Sequence, residues 1–203
     1  MSDTVALIDY GAGNLKSVHN ALNAAGAGHV RVTADSALVA AADRIVLPGV
    51  GAFAACMNAL AAIPGMVEAL NAAAVDKGRP FLGICVGMQL LADRGEEYGV
   101  TPGLGWIGGT VRAIVPDDPA VKVPHMGWND VTPSAAHPLI VPGEAYFLHS
   151  YAFWGDGMIA TTRHGGPLTA AIGRDNIVGV QFHPEKSQGY GLDFLTRFLE
   201  WRP

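Results

Sequence analysis

Phe81-Leu82-Gly83-Ile84-Cys85-Val86-Gly87-Met88-Gln89-Leu90-Leu91 runs as an apolar strand into a glycine-flanked cysteine and on into a helix. Glycines two positions either side of Cys85 let neighbouring backbone pass without a Cβ clash. The spacing predicts a nucleophile elbow, in which a residue forced into the sharp strand-to-helix turn presents its side chain at the end of a sheet. The positive end of a helix dipole also favours an anionic thiolate at such a turn. The competing reading is a buried cysteine with two packing glycines.

A thiol nucleophile needs a base and something to orient that base. The run Asn176-Ile177-Val178-Gly179-Val180-Gln181-Phe182-His183-Pro184-Glu185 supplies both types of residue. If the extended backbone persists through His183, positions 183 and 185 share a face, and the Glu185 carboxylate reaches the outer imidazole nitrogen. Cys85, His183 and Glu185 are therefore the candidate nucleophile, base and orienter. A His-Pro turn with a solvated glutamate is the alternative. An oxyanion hole needs backbone N–H donors, and one follows the nucleophile at Val86. A second is expected from Pro48-Gly49-Val50-Gly51 after the strand 44–47, at Val50 or Gly51, where glycines permit unusual backbone angles.

Working outward from the elbow, strands at 5–9, 29–33, 44–47 and 80–84 alternate with helices from Leu15 to Gly26 and from Pro64 to Gly78. This alternation predicts an α/β three-layer sandwich, flavodoxin-like or Rossmann-like, with a mostly parallel central sheet. From Trp106 the pattern becomes β-rich, with pieces expected at 106–115, 121–123, 145–153, 157–162, 168–173 and 176–182. A last amphipathic helix is expected over 192–201, with Leu192, Leu195, Phe198 and Leu199 inward. No linker interrupts the chain, so residues 1–203 are expected to form one domain. In such a sheet the strands ending near Asp9, Leu47 and Ile84 deliver their loops to one crevice.

The 203 residues are 50% hydrophobic and 15% charged, which excludes a disordered chain. A net charge of −5 without a lysine or arginine run argues against nucleic acid. No apolar stretch approaches the ~20 residues that span a bilayer, so no membrane association is expected. The N-terminus has no basic region followed by an apolar core, so a cytoplasmic protein is expected. Neither a CxxC nor an HExxH pattern occurs among the two cysteines and seven histidines, and no metal or cofactor is expected. Cys56 is expected to pack as a small hydrophobe, and His19 and His29 to be surface or packing residues. Gly11-Ala12-Gly13-Asn14-Leu15-Lys16 places a lysine where a dinucleotide loop requires its third glycine. No GxxxxGK[ST] loop is present, so the chain has no evident means of activating a substrate with ATP.

These segments together resemble the class I, triad-type glutamine amidotransferases, and among them the family of glutaminase subunits of imidazole glycerol phosphate synthase. The likeness covers essentially the whole chain. It is carried by residues 9–15, 47–53, the elbow, Pro124-His125-Met126-Gly127-Trp128-Asn129, Tyr146-Phe147-Leu148-His149-Ser150-Tyr151 and Gln181-Phe182-His183-Pro184-Glu185-Lys186-Ser187. The resemblance implies that Cys85 attacks the glutamine side-chain amide to form a glutamyl thioester. His183 then protonates the departing ammonia and later activates water. It further implies that Gly51, Gln89, Ser150 and Tyr151 hold glutamine, with Glu97 facing its α-ammonium group. The partner implied is a (β/α)8 cyclase that uses the ammonia in histidine biosynthesis, docked as a heterodimer on Asn14, His125, Met126, Trp128, Tyr146 and Lys186. Glutaminase activity in the family is weak until the cyclase binds its ligand, and the glycines of 49–51 would allow a peptide to rotate into the oxyanion hole at that point. Three readings compete: a cysteine peptidase or deglycase of similar architecture, a non-catalytic scaffold, and a glutaminase serving another synthase.

Overall fold

The computed structural model describes residues 3–203. In chain order the elements are β1 (Thr4–Ile8), α1 (Leu15–Ala24), β2 (His29–Thr33), α2 (Ser36–Ala41), β3 (Arg44–Gly49), α3 (Phe53–Ala61) and α4 (Met66–Leu70), which widens into a π-helical stretch at Asn71–Asp76. Next come β4 (Phe81–Cys85), α5 (Val86–Gln89), β5 (Arg94–Gly95), β6 (Thr101–Pro102), β7 (Gly109–Ala113), β8 (His125–Pro133) and β9 (Gly143–His149). The chain closes with β10 (Tyr151–Gly155), β11 (Met158–Arg163), β12 (Pro167–Arg174), β13 (Ile177–Val180), a 3-10 turn at Pro184–Lys186, and α6 (Gln188–Glu200).

The large sheet has the order β2-β1-β3-β4-β13-β12-β11-β8-β9, and its first five strands are parallel. That parallel half has the flavodoxin-like order, which reverses direction between β1 and β3 and opens a crevice at the strands' carboxyl ends. β3, β4 and β13 are buried at every position because helices cover both faces, whereas the edge strand β2 is largely exposed. The remaining strands extend the sheet antiparallel through β9. A second sheet, β10-β7-β5-β6, stands beside it.

Several expectations need correction. Residues 121–123 are not a strand; Pro124 has no N–H to give a ladder, and pairing starts at His125. The piece expected at 145–153 breaks at Ser150, where the chain passes from β9 in the large sheet to β10 in the small one. Of 106–115 only Gly109–Ala113 is strand, and Trp106 instead packs edge-on against Phe81 with centroids 4.9 Å apart. The last helix starts at Gln188, so its inward stripe is Gly191, Phe194, Leu195 and Phe198, and Leu192 is exposed. Among the described residues no single helix is long and apolar enough to cross a membrane.

Candidate active site

β4 ends at Cys85, and the chain turns there with φ 55° and ψ −112°, a conformation that costs a non-glycine residue about 1–3 kcal/mol. The two elbow glycines make the turn possible. A Cβ on Gly83 would lie 2.6 Å from the Gly87 carbonyl oxygen, and one on Gly87 would collide with the carbonyl oxygen of Leu47. Backbone on both sides leaves neither clash a way to relax. α5 beyond Cys85 is a single turn, so the dipole behind the thiol is that of one turn rather than of a long helix.

β13 lies beside β4 in register, pairing Val180 with Ile84, and so delivers the following residues to the same sheet end as Cys85. The strand stops at Val180. His183 keeps an extended backbone, but Glu185 sits in the 3-10 turn, so the turn rather than a continued strand folds its carboxylate back. His183 Nδ1 donates to Glu185 Oε1 at 2.9 Å, with side chains only 3% and 1% exposed. Burial alone would lower the His183 pKa. Hydrogen bonding and charge attraction from Cys85 and Glu185 outweigh it and raise the value to about 10. The second carboxylate oxygen of Glu185 is buried without a partner.

Cys85 and His183 open on a cavity of about 170 Å³. Val50, Gly51, Val86, Gln89, Glu97, Ser150 and Tyr151 line it as well. As the first residue of α5, Val86 has no intrahelical acceptor for its N–H. The Val50 carbonyl accepts from Cys56 Sγ at 3.3 Å, and Gly51 takes φ +98°. Glu97 accepts from the first N–H of α3, at Phe53, at 2.8 Å, which leaves its other oxygen for the cavity. Gln89 is 3% exposed and uses its amide nitrogen on the Tyr151 carbonyl and on Gln181 Oε1, both at 3.0 Å. Only its oxygen remains for a ligand. Lys186, expected on a docking face, lies at the cavity margin with Nζ 5.8 Å from the Tyr146 ring centroid.

The other expected docking residues separate by strand alternation. Met126 and Trp128 on β8 are 65% and 48% exposed, opposite Leu148 and Tyr146 on β9. Trp128 and Tyr146 meet edge-to-face at 6.3 Å. His125, one position out of phase, points inward instead: it is 2% exposed and stacks on Phe147 and His164. Asn14 sits at the N-cap position of α1 without a side-chain cap hydrogen bond, and α1 packs beside the Pro184–Lys186 turn.

Two further buried residues carried no expected role. His149 lines the cavity, donates from Nδ1 to the Tyr151 carbonyl at 2.9 Å, and accepts from His125 Nδ1 at Nε2, 3.0 Å away. A carbonyl only accepts, and this fixes both imidazole tautomers in their neutral forms. Burial lowers both rings, to about 3 for His125 and about 4 for His149. Gln181, fully buried, places its amide nitrogen 3.7 Å from Cys85 Sγ. Its position two residues before His183 was the available signal. Among the described residues no group of acidic, histidine or cysteine side chains could hold a metal ion.

The family model described as glutamine amidotransferase class-I matches residues 6–200, and the chain belongs to that family. Curated relatives narrow the membership. Imidazole glycerol phosphate synthase subunit HisH of Zymomonas mobilis is 66% identical, over 100% of this chain and 98% of that protein. The HisH subunit of Rhodospirillum rubrum is 57% identical over 98% and 99%. Within its class the chain is thus a member of the HisH subunits. Solved structures agree on the fold. A glutamine amidotransferase superposes with TM-score 0.74 at 17% identity, covering 97% of this chain and 99% of that one. Thermotoga maritima PurLQS gives 0.71 at 16% identity, with 98% of each chain covered.

Proposed function

We propose that this chain is the glutaminase subunit of an imidazole glycerol phosphate synthase, hydrolysing glutamine to glutamate and ammonia with Cys85, His183 and Glu185. The observation that carries this reading is the convergence of a strained, cavity-lining thiol with a buried imidazole whose far nitrogen is held by a carboxylate. In the proposed cycle the Cys85 proton passes to His183, and the thiolate attacks the glutamine side-chain carbonyl carbon. The imidazolium returns its proton to the leaving nitrogen, and ammonia departs from a glutamyl thioester. His183 then takes a proton from water, which attacks the thioester and releases glutamate. The Val86 N–H and a donor from Val50 or Gly51 hold the oxyanion. Ser150, Tyr151 and the Gln89 oxygen position the substrate, and the free Glu97 oxygen accepts from its α-ammonium group.

The ammonia goes to a (β/α)8 cyclase subunit, docked on the exposed β8–β9 face that carries Met126, Trp128 and Tyr146. An edge-paired aromatic couple, with Trp128 exposed and Tyr146 half-buried, suits the water-excluding centre of such an interface. A thiol nucleophile has to stay reduced, and both cysteines are free, which supports a cytoplasmic setting. The test is glutamate release from glutamine by the purified chain, alone and with the cyclase subunit and its nucleotide ligand. Partner-stimulated release that Cys85→Ala abolishes is expected. Release that survives Cys85→Ala would overturn the assignment.

A further inference from the structure

The orientation of the Gln181 amide follows from hydrogen-bond logic alone. The Tyr151 carbonyl can only accept, so the Gln89 atom 3.0 Å from it is the amide nitrogen. The same nitrogen lies 3.0 Å from the Gln181 side chain, which must therefore present its oxygen there. The Gln181 NH2 group is left facing Cys85 Sγ at 3.7 Å. Flipping Gln181 would set two donors against each other at Gln89, in a place with no water to absorb the mismatch, since Gln181 is 0% exposed and Gln89 3%. His149 anchors the relay from behind by donating to that same Tyr151 carbonyl.

We propose that Gln181 is a further catalytic residue, donating an N–H from its fixed amide to the Cys85 sulfur and stabilising the thiolate formed when the proton passes to His183. The inference rests on reading Cys85 as the nucleophile. A buried anion requires donors, and His183 supplies one from the side of the base. Gln181 supplies a second, neutral donor that takes up no proton and so leaves the base free to shuttle its own. Gln89 then acquires a second task, because it holds Gln181 in the donating orientation while its oxygen faces the cavity.

The test is alkylation of Cys85 by iodoacetamide in the full chain with its partner subunit. Peptide mass spectrometry separates Cys85 from Cys56, and kcat is measured alongside. Gln181→Leu removes the donor, and Gln181→Glu keeps the shape while turning a carboxylate oxygen toward the sulfur. Loss of one hydrogen bond to a charged group predicts alkylation at neutral pH slowed about tenfold in Gln181→Leu, with the rate profile moved to higher pH. Gln181→Glu is expected to be slower still, and it serves alone if the leucine variant fails to fold. A folded variant of either kind that alkylates Cys85 within about twofold of the parent chain would overturn the proposal and leave the nucleophile assignment standing. Glutaminase activity surviving in Cys85→Ala would remove both.

Discussion

Glu185→Gln tests the proposed orienter with the least change of shape. In the parent chain the carboxylate holds His183 Nδ1 at 2.9 Å where neither side chain meets solvent. A hydrogen bond to a charged partner contributes roughly 1.5–3 kcal/mol. Its loss lowers the share of His183 that holds the proton taken from Cys85, and so slows kcat by roughly 10- to 150-fold. The amide also brings a penalty the carboxylate lacks. Its oxygen must take the place of Oε1 to accept from Nδ1, so its NH2 falls where Oε2 is buried without a partner. An orphaned buried donor costs about 1–3 kcal/mol of stability. The pH behaviour supplies an independent signature. His183 stands at about 10 against an ordinary 6.5, so the stabilisation it provides is fully present below 6.5 and is lost as pH rises toward 10. With Glu185 neutralised, burial opposes only the contribution from Cys85, and that loss moves to lower pH. The assay is glutamate release with the partner subunit present, from pH 6 to 10, beside urea unfolding over the same range. A variant with kcat within threefold of the parent and an unmoved alkaline limb would refute the reasoning.

Three further outcomes follow from neighbouring features. His125 and His149 are held neutral by burial, at about 3 and about 4, so the unfolded chain takes up protons below pH 6.5 that the folded chain refuses. Stability should therefore fall on acidification from pH 6.5 toward 4, by up to about 1.4 kcal/mol per unit for each ring, and urea titrations at pH 7 and 5 would measure it. Gly87→Ala drives a methyl into the Leu47 carbonyl, backbone that cannot move aside, and should cost more than the roughly 1–3 kcal/mol of ordinary overpacking, visible as a lowered Tm by calorimetry. Trp128→Ala should leave the melting temperature nearly unchanged, because the side chain is 48% exposed, while weakening partner binding by at least about 30-fold in a titration.

The site was more legible in the sequence than the second half of the fold, and the reason is physical. Elbow chemistry is local: a cysteine at φ 55° needs glycine at 83 and 87 because backbone atoms of Gly87 and Leu47 occupy the Cβ positions, so the constraint is written into adjacent residues. The parallel strands were legible for a similar reason, as continuous apolar runs buried on both faces. β8 was not, because its exposed and buried positions depend on a partner strand beginning eighteen residues after it starts, at Gly143, and its stretch reads as polar. α2 was missed although Asp35 announces it, its carboxylate accepting from the Ala37 N–H at 2.8 Å, because six residues carry too little periodicity to weigh against a loop.

The same distinction between local and distant constraints separates the roles within the site. His183 and Glu185 could be paired on paper, though for a partly mistaken reason: the strand ends at Val180, and it is the 3-10 turn begun by Pro184 that brings the carboxylate back to Nδ1. Gln181 could not be assigned by that route. Its amide points at the sulfur only because Gln89, 92 residues away in sequence, presents a nitrogen, and Gln89 does so only because the Tyr151 carbonyl cannot donate. Period-two spacing places Gln181 on the face of His183, but which end of its amide meets Cys85 is decided by the end of α5, the start of β10 and the residues after β13 closing together. A change at His149, which shares the Tyr151 backbone carbonyl with Gln89, should therefore be felt in the alkylation rate of Cys85, whereas changes on the exposed face at Met126 should not.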